Sequence, residues 1–217
     1  MAQFVSIEGN IGVGKSTFVK LLLEQIKDSD VVNEPVEQWL KIKDSDGKNI
    51  LGEFYEDKKR WAYTFQSLAY VTRMNNIEDK IKTSDAKTIF LDRSINTDKN
   101  IFAKMLFDDG ILSELEYNIY NCWNNFYSTH IRDISNIKTI YLKCDIDCAI
   151  GRIKKRGRVE EMTIGYDYIE KLHKYHEEWL MTDNPNVLIL NCNRDFEYDL
   201  EYQNEIIETV RDFIKHK

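Results

Sequence analysis

The chain has 217 residues, a formal net charge of −7 and a charged fraction of 31%. This size suits one compact α/β domain over residues 1–217, and the acidic balance argues against non-specific binding to nucleic acid. No apolar run approaches the roughly 18 residues that a membrane span needs. No secretion signal precedes the first apolar segment, and the four cysteines form no C-x-x-C pair. We therefore expect a cytoplasmic protein with reduced thiols and no membrane partner.

Five short apolar runs are predicted to be β-strands. They lie at residues 4–7, 31–32, 88–91, 138–142 and 187–190. They are apolar throughout rather than alternating, which is typical of strands that are covered on both faces. Residues 56–83 and 113–132 have helical spacing, whereas residues 41–53 form a polar loop. The alternation of strands and helices predicts an α/β fold with a doubly wound, parallel sheet.

The first predicted strand leads into a glycine-rich loop that fits the pattern G-x-x-x-x-G-K-[ST]. The loop reads Gly9, Asn10, Ile11, Gly12, Val13, Gly14, Lys15 and Ser16, and Thr17 follows it. Glycines let the backbone wrap around an anion, and the amides at the next helix N-terminus face it. Lys15 should reach the β- and γ-phosphates, and the Ser16 hydroxyl should bind Mg²⁺. The loop predicts a triphosphate site but does not specify the reaction.

Acidic residues follow the second and third predicted strands. Glu34 lies at the tip of the second, where Pro35 stops the strand, and Asp92 ends the third. Ligands of open α/β sheets bind at the carboxyl ends of the strands. We therefore expect Asp92 to hold Mg²⁺ directly or through water, and Glu34 to be the base for an incoming hydroxyl. The alternative for each is an ordinary solvent-facing charge.

Three arginines cluster at residues 152–158, which read RIKKRGR. Arg152 and Arg156 fall on one face of a predicted helix. Gly157 can end that helix, so that Arg158 projects from the following loop. Guanidinium groups can bind phosphoryl oxygens with two parallel hydrogen bonds. We therefore predict an arginine lid over about residues 152–162, the alternative being a solvated basic face.

Several motifs together resemble the deoxynucleoside kinase family, in particular its deoxycytidine and deoxyguanosine kinases. They are IEGNIGVGKST (7–17), NEPVEQW (33–39), YEDKKRWAYTFQ (55–66), DRS (92–94), RGRVEE (156–161) and KLH (171–173). The resemblance implies a P-loop kinase fold with a five-stranded parallel sheet. It also implies that the γ-phosphate of ATP, or of another nucleoside triphosphate, passes with Mg²⁺ to a deoxynucleoside 5′-hydroxyl for nucleotide salvage. The family usually forms homodimers through two long helices, here assigned to residues 97–109 and 114–132.

The resemblance implies roles for residues on the acceptor side. Glu34 corresponds to the base that accepts the 5′-hydroxyl proton, and Arg93 to the residue that steadies the phosphates and that carboxylate. Tyr55 and Glu161 correspond to the groups that hold the sugar 3′-hydroxyl, and Gln66 to the reader of the nucleobase edge. The aromatic residues expected around the nucleobase are Trp39, Phe65 and Phe102.

On the donor side the resemblance assigns residues 9–17 to the phosphates. The arginines that it assigns to the lid are Arg152, Arg156 and Arg158, of which Arg156 also contacts the donor. Asp195 and Phe196 correspond to the loop beside the donor base. One departure is Asp92, since animal relatives usually have glutamate there. The shorter side chain keeps the charge, and a water molecule can bridge to Mg²⁺.

Arg73 and Asp98 are expected to select the acceptor. Arg73 falls on the same helix face as Gln66, and in the family the positions of Arg73 and Asp98 pair at the far end of the base pocket. A carboxylate there accepts a hydrogen bond from an exocyclic amino group, whereas thymine presents a carbonyl and a methyl group. We therefore predict deoxycytidine or purine deoxynucleosides as substrates and thymidine as a poor one. The alternative is a structural ion pair outside the pocket.

Two other functions are compatible with a triphosphate site. A nucleoside monophosphate kinase shares the loop and lid, but it needs cations for the acceptor phosphate. The segments around Trp39 and residues 55–66 offer aromatic and amide groups instead. A regulatory module that binds a nucleoside triphosphate would bind or hydrolyse nucleotide and phosphorylate no nucleoside.

Overall fold

The fold is built on a parallel β-sheet that lies between two layers of helices. The computed structural model describes residues 2–130, 137–161 and 164–215, with the backbone alone for residues 127–130 and 160. Within them the strands are β1 (Gln3–Gly9), β2 (Ser29–Val32), β3 (Thr88–Asp92), β4 (Lys138–Lys143) and β5 (Val187–Asn191). Their order is β2-β3-β1-β4-β5, and every neighbouring pair is parallel. All five predicted strands are confirmed, each slightly longer than its apolar run.

The position of β1 fixes where a ligand can bind. Its two neighbours are β3 on one side and β4 on the other. The chain therefore reverses its direction of winding around β1, and a crevice opens between the loops that follow these strands. The glycine-rich loop follows β1 directly, so the crevice lies beside it.

Ten α-helices and two short helical turns connect and cover the strands in the described part of the chain. The helices are α1 (Lys15–Gln25), α2 (Val36–Lys41), α3 (Ile50–Glu56), α4 (Lys58–Thr83), α5 (Ile95–Thr97), α6 (Lys104–Asp108), α7 (Glu114–His130), α8 (Ile146–Arg156), α9 (Tyr166–Leu180) and α10 (Leu200–Lys215). A π-helical turn, Asp98–Ala103, joins α5 to α6, and a 3-10 turn, Val159–Glu161, follows α8. None of the described helices is long and apolar enough to cross a membrane.

Two predicted boundaries are wrong because polar side chains start helices there. The helix expected over residues 56–83 begins at Lys58, since the Asp57 side chain accepts a hydrogen bond from the backbone N–H of Arg60. The loop expected over residues 41–53 ends earlier, since Asn49 caps α3 by accepting from the N–H of Gly52. The helix expected over residues 113–132 is α7, and residues 131 and 132 lie outside the described residues.

The core consists of two hydrophobic clusters, one on each face of the sheet. Strand β3 shows the division, because Phe90 belongs to one cluster whereas Ile89 and Leu91 belong to the other. The first cluster includes residues of α1, α9 and α10, and the second includes residues of α3, α4 and α7. The sheet is thus covered on both faces, as the apolar strands predict.

Candidate active site

A cavity of about 830 Å³ lies at the carboxyl ends of the strands. The predicted site residues that line it are Ile11, Gly12, Gly14, Lys15, Ser16, Thr17, Glu34, Trp39, Tyr55, Phe65, Gln66, Arg73, Asp92, Arg93, Asp98, Phe102, Arg152, Arg156, Arg158, Glu161, Asp195 and Phe196. Gly9, Asn10 and Val13 are buried behind this lining. The fold therefore brings residues from both ends of the chain into one site.

The glycine-rich loop packs tightly against the helices around it. Gly12 has a φ of +83°, and a Cβ atom there would lie 2.3 Å from the carbonyl oxygen of Ala149 in α8. Asn10 fastens the loop to α9 by donating from Nδ2 to the carbonyl of Ile169 over 2.9 Å. Any larger residue at position 12 would push the loop away from α8, so glycine is required there.

Lys15 is folded back onto its own loop. Its Nζ donates to the carbonyl oxygens of Gly9 and Asn10, each over 3.1 Å. Burial, reinforced by the positive charge of Arg93, lowers the pKa of Lys15 to about 7. The charges of Asp92 and Glu34 offset this effect only in part.

Ser16 and Asp92 form a pair of oxygen ligands beside the loop. The Ser16 hydroxyl donates to Asp92 Oδ2 over 3.2 Å, while the other carboxylate oxygen, Oδ1, is buried without a hydrogen-bond partner in the described residues. Burial and the nearby charge of Glu34 raise the pKa of Asp92. An unpaired carboxylate oxygen next to a hydroxyl matches the hard-oxygen ligands that Mg²⁺ prefers. The residues present therefore fit this cation.

Glu34 lies between two buried arginines. Its Oε1 is 3.2 Å from Arg73 Nη2, which donates a hydrogen bond, and 3.2 Å from Arg93 Nε, which is within ion-pair range but not aligned for a hydrogen bond. Burial alone would raise the pKa of Glu34, but the charges of Arg93 and Arg73 outweigh it and lower the pKa to about 2. Glu34 is therefore an ionised carboxylate at neutral pH.

Arg73 and Asp98 form a buried ion pair in the wall of the cavity. Arg73 Nε donates to Asp98 Oδ2 over 2.9 Å, and Nη2 is 3.3 Å from Oδ1. Both residues are almost fully buried and both line the cavity. Burial raises the pKa of Asp98 in spite of the opposing charge of Arg73. The pair thus lies in the cavity wall rather than outside the pocket, and its role in selecting the acceptor stays a prediction.

Aromatic side chains surround the space next to this ion pair. The rings of Trp39 and Phe65 meet edge to face with centroids 5.1 Å apart, and Phe54 stacks on Phe65 at 4.7 Å. Gln66 lies beside them, with its Oε1 buried and without a hydrogen-bond partner among the described residues. Flat apolar walls with an unpaired amide suit a planar ring that carries polar edges.

The predicted lid arginines are held by partners of two kinds. Arg156 and Arg158 donate to the two carboxylate oxygens of Glu161, the latter over 2.8 Å. Arg152 Nη1 donates to the carbonyl oxygen of Val13 in the glycine-rich loop over 3.0 Å. The end of the predicted lid, Met162, lies outside the described residues. The lid itself stays a prediction.

Sequence reasoning missed several residues that line the cavity. Tyr168 of α9 meets Tyr55 edge to face, with ring centroids 6.4 Å apart. The Lys58 ammonium group lies over the ring of Tyr168. Phe54 belongs to α3, which the polar composition of residues 41–53 concealed. Lys155 and Tyr198 also line the cavity. The helical spacing of the residues after Gly165 predicts an amphipathic helix, and Tyr168 could have been identified from this pattern.

Comparison with known proteins identifies the family of this chain. The model of the family described as deoxynucleoside kinase matches residues 5–215. This chain is a member of the deoxynucleoside kinase family. The predicted family, fold and phosphotransferase class are confirmed, so the chain is a kinase that uses a nucleotide as its phosphate donor.

Individual deoxynucleoside kinases are similar over nearly the whole chain. The probable deoxycytidine kinase of fowlpox virus (strain NVSL) is 40% identical over 97% of this chain and 87% of its own length. Bovine deoxycytidine kinase is 34% identical over 97% and 90%. The mitochondrial deoxyguanosine kinase of Xenopus laevis is 33% identical over 97% and 89%. The roles of individual residues in this chain stay predictions.

Proposed function

We propose that this chain transfers the γ-phosphoryl group of ATP, or of another nucleoside triphosphate, to the 5′-hydroxyl of deoxycytidine or a purine deoxynucleoside. One observation carries the proposal. A single cavity is lined by the phosphate loop, by the Arg73–Asp98 ion pair and by Glu34, which contacts both Arg73 and Arg93. A donor bound on the loop and an acceptor bound beside the ion pair would meet at Glu34.

In the proposed reaction, Glu34 is the general base and Arg93 stabilises charge. The 5′-oxygen attacks the γ-phosphorus, the bond to the β,γ-bridging oxygen breaks, and the hydroxyl proton passes to Glu34. A carboxylate with a pKa of about 2 is a weak base. It is adequate because phosphoryl transfer has a loose transition state, in which the hydroxyl loses its proton late. Arg93 then stabilises the charge on the transferring group.

Lys15 and the cation site are proposed to hold the donor phosphates. Lys15 would exchange its loop carbonyls for the β- and γ-phosphate oxygens. Ser16 and Asp92 would hold Mg²⁺, which neutralises phosphate charge when it is bound. No group of three or more histidine, cysteine or acidic side chains in the described residues could hold a metal ion. The remaining ligands would therefore be donor phosphate and water, as is usual for Mg²⁺ in kinases.

The proposed acceptor preference follows from the part of the cavity that Asp98 and Gln66 line. Asp98 can accept a hydrogen bond from an exocyclic amino group such as cytosine N4, and Gln66 can pair with the ring edge. Thymine would turn a carbonyl towards the Asp98 carboxylate and a methyl group towards Arg73. The similarity to two deoxycytidine kinases and a deoxyguanosine kinase supports this preference.

The arginine lid and the sugar site are proposed to share one carboxylate. Glu161 is buried and accepts from Arg156 and Arg158, and with Tyr55 it would hold the sugar 3′-hydroxyl. An arriving 3′-hydroxyl would compete for oxygens that now hold the arginines. Acceptor binding would in this way release the guanidinium groups of Arg156 and Arg158, which could then bind the γ-phosphate. Arg152 already contacts the phosphate loop.

We propose a homodimer whose interface is formed by α7 and the adjoining face of α4. The helix segment at residues 97–109, expected to form part of the interface, is largely buried within the chain. Helix α7, in contrast, exposes Leu115, Ile119 and Trp123 along one face, and α4 exposes Val71 beside it. An exposed apolar stripe of this kind is typical of a protein interface.

We also propose that residues 1–217 form one domain in the cytoplasm. Both hydrophobic clusters pack against the same sheet, so neither part of the chain has a separate core. All four cysteines are free thiols, which suits a reducing compartment.

An acceptor assay tests the proposed function. Purified protein is incubated with γ-labelled ATP, with or without Mg²⁺, and with each of the four deoxynucleosides or deoxycytidine 5′-monophosphate. We expect Mg²⁺-dependent labelling of deoxycytidine or a purine deoxynucleoside at the 5′ position. Labelling of the monophosphate alone would indicate a nucleoside monophosphate kinase. Nucleotide binding or hydrolysis without any labelled nucleoside would indicate a regulatory module.

A further inference from the structure

A carboxylate that the proposed mechanism does not use lies directly before the phosphate loop. Glu8 is fully buried near the end of β1 and does not line the cavity. It accepts hydrogen bonds from the hydroxyls of Ser6 and Thr97, and from both the backbone N–H and the hydroxyl of Ser94, over 2.9 and 2.8 Å. Three of these four bonds come from the segment that follows Arg93.

The segment after β3 needs such a support because its backbone is unfavourable. Arg93 has a φ of +69°, in the left-handed region that residues other than glycine rarely adopt. Its N–H is tied to the carbonyl oxygen of Ile7 over 3.1 Å. Glu8 is the next residue along β1 and binds the next residue after the turn, Ser94. Consecutive residues of β1, Ile7 and Glu8, therefore hold the backbone at Arg93 and at Ser94.

The left-handed turn at Arg93 determines where the Arg93 guanidinium and the Asp92 carboxylate lie. It brings Arg93 Nε to 3.2 Å from Glu34 Oε1 and lets Arg93 Nη1 donate to the carbonyl of Gly9 over 3.2 Å. Asp92, just before the turn, meets Ser16 across the cation site. Relaxation of the turn to an ordinary backbone conformation would move the Arg93 guanidinium away from Glu34.

We infer that Glu8 is a positioning residue for phosphoryl transfer, which holds Ser94 and Thr97 so that Arg93 stays beside Glu34. The inference rests on the proposed function, because it assigns Glu8 a task in that reaction. A merely structural Glu8 would affect stability without changing catalysis by the folded enzyme. A positioning Glu8 lowers kcat more than it raises the donor KM, because Arg93 is proposed to stabilise charge on the transferring group in the transition state.

The pH dependence of kcat/KM provides a second way to distinguish a positioning Glu8 from a merely structural one. Arg93, Arg73 and Lys15 lower the pKa of Glu34 against its burial, Arg93 most of the three, and the Asp92 carboxylate also interacts with Glu34. If Arg93 moves away, the pKa of Glu34 rises, and the base is protonated over a higher pH range. The acid limb of kcat/KM for the acceptor then moves to higher pH. Loss of a buried carboxylate that only supports the fold would leave this limb unchanged.

Two threonine variants make a matched pair for the test. Thr97→Val removes a hydroxyl that binds Glu8, whereas Thr88→Val makes the same change at the opposite end of β3, away from the cavity. Both threonines are buried. Glu8→Ala removes the whole support. Glu8→Gln keeps the shape, since its oxygen can still accept from Ser94 and its amide can donate to Thr97.

Kinetics of the folded variants, with melting temperatures measured in parallel, decide the question. We expect kcat to fall roughly 10–100-fold in Glu8→Ala, as for other hydrogen-bonded partners of active-site groups, and less in Thr97→Val. Glu8→Gln should recover most of the loss, Thr88→Val should match wild type, and the acid limb should move only in the impaired variants. If Glu8→Ala does not fold, the comparison of Thr97→Val with Thr88→Val still tests the inference.

Two results would overturn the inference. The first is an active wild-type enzyme with Thr97→Val equal to Thr88→Val in kcat and in acid limb, which refutes the role of Glu8 and leaves the proposed function intact. The second is a wild-type protein that phosphorylates no deoxynucleoside, which refutes the proposed function and the inference with it.

Discussion

The ion pair between Arg73 and Asp98 provides the sharpest test of acceptor selectivity. Changing one partner would leave an unpaired buried charge, which typically costs about 3–5 kcal/mol of stability. Arg73→Met and Asp98→Ala are therefore made together. Because Arg73 also donates to Glu34, the double variant should lose activity towards every acceptor. The informative quantity is thus the ratio of kcat/KM for deoxycytidine to that for thymidine, in which the common loss cancels.

The size of the expected ratio follows from the chemistry of the pocket. In the proposed complexes, deoxycytidine would present an amino group to the Asp98 carboxylate, whereas thymidine would present a carbonyl, which would leave two acceptors facing each other. A buried polar group without its partner costs about 1–3 kcal/mol, and more when it is charged. Since 1.4 kcal/mol corresponds to a tenfold change, we expect wild type to favour deoxycytidine by about 10²-fold or more. The double variant should bring the ratio below about ten.

A second ion pair on α4 serves as the control. Lys80 and Asp30 are 2.9 Å apart and lie outside the cavity. Lys80→Met with Asp30→Ala makes similar substitutions in a partly exposed pair away from the cavity and should leave the ratio unchanged. Steady-state kinetics with both acceptors at saturating ATP measure the ratio of kcat/KM for deoxycytidine to that for thymidine. A wild-type ratio near one, or a ratio unaffected by the Arg73 and Asp98 changes, would refute the reasoning.

Three further predictions follow from other parts of the structure. Arg156→Ala should lower kcat far more than it raises the donor KM if the lid acts on the transition state, and a raised KM with normal kcat would contradict this. Because the pKa of Lys15 is about 7 without nucleotide, a bound triphosphate should raise it and take up about one proton per site near pH 8. Calorimetry in two buffers of different ionisation enthalpy measures this uptake, and equal enthalpies would contradict it. Trp123→Glu should convert a dimer into a monomer in sedimentation at unchanged folding, whereas an unaltered dimer would exclude α7 from the interface.

The elements that the sequence predicts best are those in which neighbouring residues determine the geometry. The glycine-rich loop is an example, because Gly12 and Lys15 act within one strand–loop–helix unit. The strands were also predictable, since burial on both faces imposes an apolar run. The position of Arg73 beside Asp98 followed from the family resemblance rather than from spacing, because the two residues lie on different elements.

The features that could not be predicted depend on packing between distant segments. Tyr168 meets Tyr55 only in the folded chain, because the two residues lie on helices that are far apart in sequence. The role of Glu8 was not visible, since a lone glutamate at the end of a strand gives no sign of the hydroxyls from Ser94 and Thr97 that surround it. The left-handed backbone of Arg93 likewise has no local signal, because the surrounding hydrogen bonds and not the residue type impose it.

Single-turnover phosphoryl transfer by Glu34→Gln tests the central claim most directly. The amide keeps the size of the side chain but cannot accept the 5′-hydroxyl proton at neutral pH. With enzyme in excess over labelled ATP and deoxycytidine saturating, we expect the transfer rate to fall by ~10²–10⁴, the usual contribution of a positioned base, while ATP affinity is retained. A rate within about threefold of wild type would contradict the account, because Glu34 would then not be the base that accepts the 5′-hydroxyl proton.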